Sequence, residues 1–152
     1  MSQHSVRFTE HFNASRAEVF PYFARHELFG AMAGGPVAAK LKFIRRIRLG
    51  ESIKQPDGVG SVRRIGYGPL GFEETVRVSE PGKLIEYAIS KGSPLKNHLG
   101  RIEFHDDAGG TRVDYLITFE PKLPGTGALL KQVLIAMISP AFARIRKALA
   151  TR

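Results

Sequence analysis

The stretch TGALLKQVLIAMISPAFARIRKALA, Thr126 to Ala150, dictates how the rest of the chain must be arranged. Leu130, Val133, Leu134, Met137, Ile138, Phe142, Ile145 and Leu149 recur at helical spacing and form one apolar stripe. A helix from Thr126, its expected N-cap, to about Ala150 is about 37 Å long at the standard rise. A stripe of that length and breadth is too large for a helix that merely closes the end of a sheet, so the helix must lie across one. Pro140 removes a backbone hydrogen bond and frees the Ala136 carbonyl, which predicts a kink near the middle. Pro121, Pro124 and Gly125 stop whatever precedes it.

What precedes it reads with a period of two. Six strands are predicted around Phe43, Ile47 and Leu49; Val62 and Ile65; Phe72, Val76 and Val78; Ile85, Tyr87 and Ile89; Ile102 and Phe104; and Val113, Tyr115, Ile117 and Phe119. Turn residues at 55–58, 68–71, 80–82, 92–94 and 106–110 punctuate them about every dozen residues, the mark of an antiparallel meander. A sheet with a single helical layer must curl around that helix to cover it.

At the other end, Ser5 to Phe12 suits a further strand. Ser15 and Glu18 then form a capping box for a helix carrying Val19, Phe20 and Phe23, with Pro21 inside it. A second short helix is expected over Glu27 to Met32, broken by Gly34, Gly35 and Pro36.

Composition bounds the function. The 152 residues, 43% apolar and 24% charged, suit one α+β domain spanning 1–152. No run reaches the 18 or more consecutive apolar residues of a membrane span, and the polar N-terminus lacks a signal-peptide core, so a cytoplasmic location is expected. With no cysteine, disulfides, thiolate metal sites and thiol catalysis are excluded. The formal charge is +9, with Lys40, Lys42, Arg45, Arg46, Arg48 and Lys54 facing only Glu51 in their segment. Such a field attracts anions, but no stacking platform or groove-reading helix accompanies it, so no specific nucleic acid partner is expected. Gly66, Gly68 and Gly71 match GxGxxG, yet Pro69 lies inside and a strand follows where a phosphate site needs a helix.

The order of elements, together with AEVFPYF (17–23), GVGSVRRI (58–65), FEETV (72–76), LIEYAI (84–89), SPLKNHLGRIEF (93–104) and GGTRVDY (109–115), resembles the START-like or SRPBCC superfamily and its helix-grip fold. Within it, the chain is most similar to the polyketide cyclase/dehydrase-like branch. The resemblance implies an internal cavity between a curved sheet of six or seven antiparallel strands and the long C-terminal helix. There a small, largely apolar ligand such as a lipid or polyketide would sit, with no cofactor; some members are enzymes and many only bind. A homodimer is compatible with this reading.

Parity along the strands then names the candidates. Phe72, Val76, Tyr87, Ile102 and Tyr115 should face the cavity, with Met137 and Ile138 opposite them on the helix. Glu74 shares the inward parity of its strand, and either Arg63 or Arg64 should sit opposite it, register deciding which. That pair is either a structural ion pair or a polar anchor. His98 shares parity with Ile102, and Tyr67, Tyr87 and Tyr115 could add hydroxyls. Glu74, His98 and Arg64 (or Arg63) are therefore candidate catalytic groups for a cyclase or dehydratase, and in a carrier the same groups only orient the ligand. No His, Asp or Glu cluster shows metal-ligand spacing along the chain, and no metal is expected.

Overall fold

The structure is a computed structural model and describes residues 3–152. β1 (His4–Phe12) leads into α1 (Arg16–Ala24), whose start is the capping box read from the sequence: Ser15 Oγ accepts from the Glu18 amide and Glu18 Oε1 from the Ser15 amide, each at 3.2 Å. α2 (His26–Lys40) follows. It is longer than the expected 27–32, because the break at Gly34 to Pro36 is a kink and not an end. Gly35 takes φ 81° and ψ −173°, a conformation essentially confined to glycine, and Pro36 opens the next turn, where its missing N–H costs nothing.

The meander comprises β2 (Ile44–Arg48), β3 (Val62–Ile65), β4 (Phe72–Glu80), β5 (Leu84–Lys91), β6 (Leu95–Asp107) and β7 (Gly110–Pro121). With β1 it forms one antiparallel seven-stranded sheet in the order β1-β7-β6-β5-β4-β3-β2. Consecutive strands are neighbours, and β1 closes the far edge by pairing with β7. The curved sheet grips α3 (Gly127–Ala150), which packs against β1, β7 and α2. This is the helix-grip architecture.

The inward parity of β7 holds throughout: Val113, Tyr115, Ile117 and Phe119 are all buried. Each such side chain taken fully from water is worth about 1.5–3 kcal/mol. Phe142 of α3 meets Phe8 and Phe23 with ring centroids 5.1 and 6.3 Å away, joining helix, sheet and α1 in one core.

Three local expectations are corrected. On β2 the inward residue is Ile44, while Phe43, Ile47 and Leu49 are 37%, 47% and 63% exposed. β2 is an edge strand with a register shift between Arg46 and Arg48, and Ile44 tucks under Gly30, where a Cβ would come within 2.8 Å of its own Cβ. Thr126 does not cap α3: its backbone is already helical and its hydroxyl donates to the Leu123 carbonyl at 2.6 Å. Val133 is exposed, because the burial of α3 is concentrated in Ile138, Ala141, Phe142, Ile145 and Leu149. By length and composition α3 could cross a membrane, but here it is the core helix that the sheet encloses, and it runs without a break through Pro140.

Candidate functional site

Between α2, the inner face of β2 to β7 and the middle of α3 lies a cavity of about 270 Å³. Its walls are mainly apolar: Phe29 and Ala33 on α2, Ile65, Phe72 and Ile117 on the sheet, and Leu134, Met137 and Ile138 on α3. Gly34, Phe43 and Ala136, the exposed members of the lining, mark where it reaches the surface beside the α2 kink.

One end is polar. Register places Arg63 of β3 opposite Glu74 of β4, and Arg63 Nε and Nη2 both lie 2.7 Å from Glu74 Oε1. Both residues are 5% exposed. A buried pair of this kind contributes little net stability, because desolvation offsets its attraction, but breaking it by removing one partner is costly. The Arg63 guanidinium also lies over the Tyr87 ring, 4.6 Å from its centroid. Burial works against the charge on Arg63, yet the neighbouring Glu74 and the two tyrosines hold its pKa above the ordinary value.

Tyr87 and Tyr115 share a hydrogen bond between their hydroxyls. Burial raises both, Tyr115 to about 12 and Tyr87 well above its ordinary value, so both stay protonated near neutral pH. The Tyr87 ring lies across Gly100, its register partner on β6, where a Cβ would fall 2.2 Å from the ring. Only glycine leaves that space.

His98 is delivered by an irregularity. The β6–β7 register shifts between Lys96 and Leu99, and Asn97 takes φ 51°. His98 Nδ1 then accepts from the Ile89 amide at 3.2 Å, which leaves the proton on Nε2, 3.9 Å from Glu74 Oε2. Burial lowers the His98 pKa; Arg63 adds to this and Glu74 opposes it, so the ring is neutral at neutral pH.

Set against the candidates named from sequence, the cavity brings together Arg63, Phe72, Glu74, Tyr87, His98, Tyr115, Met137 and Ile138. Arg64 is on the other face of β3, bonded to Glu73 at 3.2 Å and to the Gly68 carbonyl at 2.7 Å; the register that puts Arg63 inside puts its neighbour outside. Val76 and Ile102 are buried but do not line the cavity. They lie further along their strands, toward the end of the sheet where Phe20 and Phe23 pack on Phe104 and fill the space. Tyr67 is half exposed and donates to the Leu41 carbonyl outside the cavity. The sequence reading missed the α2 wall. Its signal was present as a stripe at helical spacing, Phe29 with Ala33 and Gly30 with Gly34, four residues apart.

Two other places lie outside this cavity. Glu103 and His105 of β6 and Asp114 of β7 offer ligand atoms within 4.8 Å of one another, a convergence across strands that spacing along the chain did not reveal. Its carboxylates already have partners, Arg101 at 2.7 Å from Glu103 and Arg112 at 3.2 Å from Asp114. A wider groove of about 540 Å³ runs between the α1–α2 junction and the β2–β3 loop, where the Arg46–Asp57 ion pair, 2.7 Å, is its own partner. Neither gathers buried polar groups toward a common volume as the internal cavity does.

The family model described as "Polyketide cyclase / dehydrase and lipid transport" matches residues 3–152. No curated protein matches the chain in sequence. Among solved structures, the chain is similar to Ara h 8.0201, with a TM-score of 0.72 at 13% identity, covering 99% of this chain and 100% of that one. It is also similar to norcoclaurine synthase from Thalictrum flavum in complex with dopamine and hydroxybenzaldehyde, with a TM-score of 0.70 at 11% identity and coverage of 99% and 88%. A third is protein Ms6760 from Mycobacterium smegmatis, with a TM-score of 0.67 at 15% identity and coverage of 97% and 91%. At these identities the likeness is one of fold.

Proposed function

Because this chain belongs to the polyketide cyclase/dehydrase and lipid transport family, we propose that it binds a small, largely apolar molecule in the cavity between sheet and α3. The observation that carries this reading is the cavity's asymmetry: apolar walls lead to one end where Arg63, Glu74, His98, Tyr87 and Tyr115 converge. Few polar groups at one end of an apolar pocket is the usual design for orienting an apolar ligand. The synthase structure with dopamine and hydroxybenzaldehyde is a precedent within the fold for holding small aromatic molecules.

Ile138→Trp tests it by filling the volume. The variant should fold, at a cost of about 1–3 kcal/mol from overpacking. Native mass spectrometry should find a small molecule on the wild-type protein and none on the variant. Undiminished uptake by a folded variant would place the ligand elsewhere.

A second reading, a cyclase or dehydratase, is favoured by one observation, the imidazole and carboxylate of His98 and Glu74 facing each other at 3.9 Å. Arg63, not Arg64, would be the polarising group. Under it, Glu74→Gln slows turnover of the bound molecule by about a hundredfold or more while affinity stays within about tenfold. If the wild-type protein leaves its ligand chemically unchanged, this second reading falls and the first stands.

A further inference from the structure

At the polar end of the cavity, a donor and an acceptor that face each other, on His98 and Glu74, have no partner among the described residues. Glu74 Oε1 takes both Arg63 contacts, so Oε2 is left to accept. His98 Nδ1 is occupied by the Ile89 amide, so Nε2–H is left to donate. Both side chains are at least nine-tenths buried, and both line the cavity. At 3.9 Å the two atoms are too far apart to satisfy each other. An oxygen about 2.8 Å from each would see them at an angle of about 90°, about 20° inside the tetrahedral angle between the O–H bond and a lone pair of a hydroxyl and within the bending that hydrogen bonds tolerate.

From this we infer that the ligand carries a hydroxyl, alcoholic or phenolic, that donates to Glu74 Oε2 and accepts from His98 Nε2 at once. The inference rests on the cavity being the binding site. It separates chemical classes that apolar walls alone do not. A carboxylate places a second negative charge against Glu74, whose own charge is already matched by Arg63. A ketone accepts from His98 but leaves Glu74 Oε2 without a donor, and an ammonium donates to Glu74 but offers His98 no acceptor. Leaving a buried partner unsatisfied costs about 1–3 kcal/mol, roughly five- to a hundredfold in affinity.

The test is a matched series: 2-naphthol, 2-methylnaphthalene and 2-naphthoate, titrated into the wild-type protein, into His98→Asn and into Ile138→Trp, with binding read by ligand-observed NMR. Asn at position 98 offers an amide oxygen near the place of Nδ1, for the Ile89 amide, and removes Nε2. The expected result is that wild-type protein prefers 2-naphthol to both analogues by about tenfold, within the range for one unsatisfied buried group. In His98→Asn the preference over 2-methylnaphthalene should fall to about twofold or less. Equal binding of 2-naphthol and 2-methylnaphthalene to wild-type protein, both lost in Ile138→Trp, would overturn the hydroxyl assignment and leave the cavity reading standing. So would a preference for 2-naphthoate. Binding of none of the three, or binding unaffected by Ile138→Trp, would overturn both.

Discussion

Two histidines are buried in this molecule for different ends. His98 turns a free N–H toward the cavity, whereas His26 is sealed: its Nε2 lies 2.9 Å from Ser61 Oγ, its Nδ1 has no partner, and its own amide donates to Asp57 at 2.9 Å. Burial pushes the His26 imidazole down to about 3, with Arg63 and Arg46 adding to the effect and Asp57 opposing it. An unfolded chain takes up that proton below its ordinary pKa of 6.5, while the folded chain refuses it until about 3. Between those values the unfolded state binds more protons, so stability is full above pH 6.5 and falls as pH drops, by at most about 1.4 kcal/mol per unit for one group. His98, lowered as well, acts in the same direction. Paired carboxylates such as Glu18 and Glu103 release their contribution only at lower pH, near and below their ordinary 4.5, so the interval from 6.5 to 5 belongs to the histidines. Urea unfolding should therefore show a loss of about 2 kcal/mol or more between pH 7 and pH 5, and about 2 kcal/mol of that loss should vanish in His26→Gln. A pH-independent midpoint over that interval would refute the assignment.

At the scale of elements, the kink in α2 is a junction with α3. The carbonyls of Met32 and Ala33, in the turn before the kink at Gly35, both accept from Arg144 Nη1 at 2.9 Å, and Met32 has no helical donor to lose because the residue four on is Pro36. A Cβ on Gly35 would meet the same guanidinium at 2.9 Å, so the glycine serves both the turn and the approach of the arginine. The wall of the cavity that carries Phe29 and Ala33 is thus latched to the helix opposite it. Arg144→Met keeps the apolar stem and removes the latch. It should cost about 1.5–3 kcal/mol, the range for hydrogen bonds to a charged donor, and should speed amide exchange across residues 29–34 more than across β6 and β7. Uniform exchange in variant and wild type would mean that packing alone holds this wall.

At the scale of the whole molecule, the period-two alternation from Phe72 to Phe119 and the stripe on α3 were enough to specify an antiparallel sheet gripping one helix, because burial of an apolar face is a local pattern with one global solution. Strand parity likewise turned Glu74, His98, Tyr87 and Tyr115 inward. Three things were decided only in three dimensions. The choice between Arg63 and Arg64 needed the β3–β4 register, which shifts by one residue at no cost to composition and exchanges the two faces. The extent of the cavity, excluding Val76 and Ile102 and including the Phe29 to Gly34 face, depended on how far the α1 aromatics fill one end of the sheet. The 3.9 Å gap between His98 and Glu74 depended on a one-residue irregularity at Asn97. Sequence carries periodicity, and periodicity determines which face a side chain occupies; the distance between two side chains from different strands is set by register, bulges and packing, which exist only once the chain has folded.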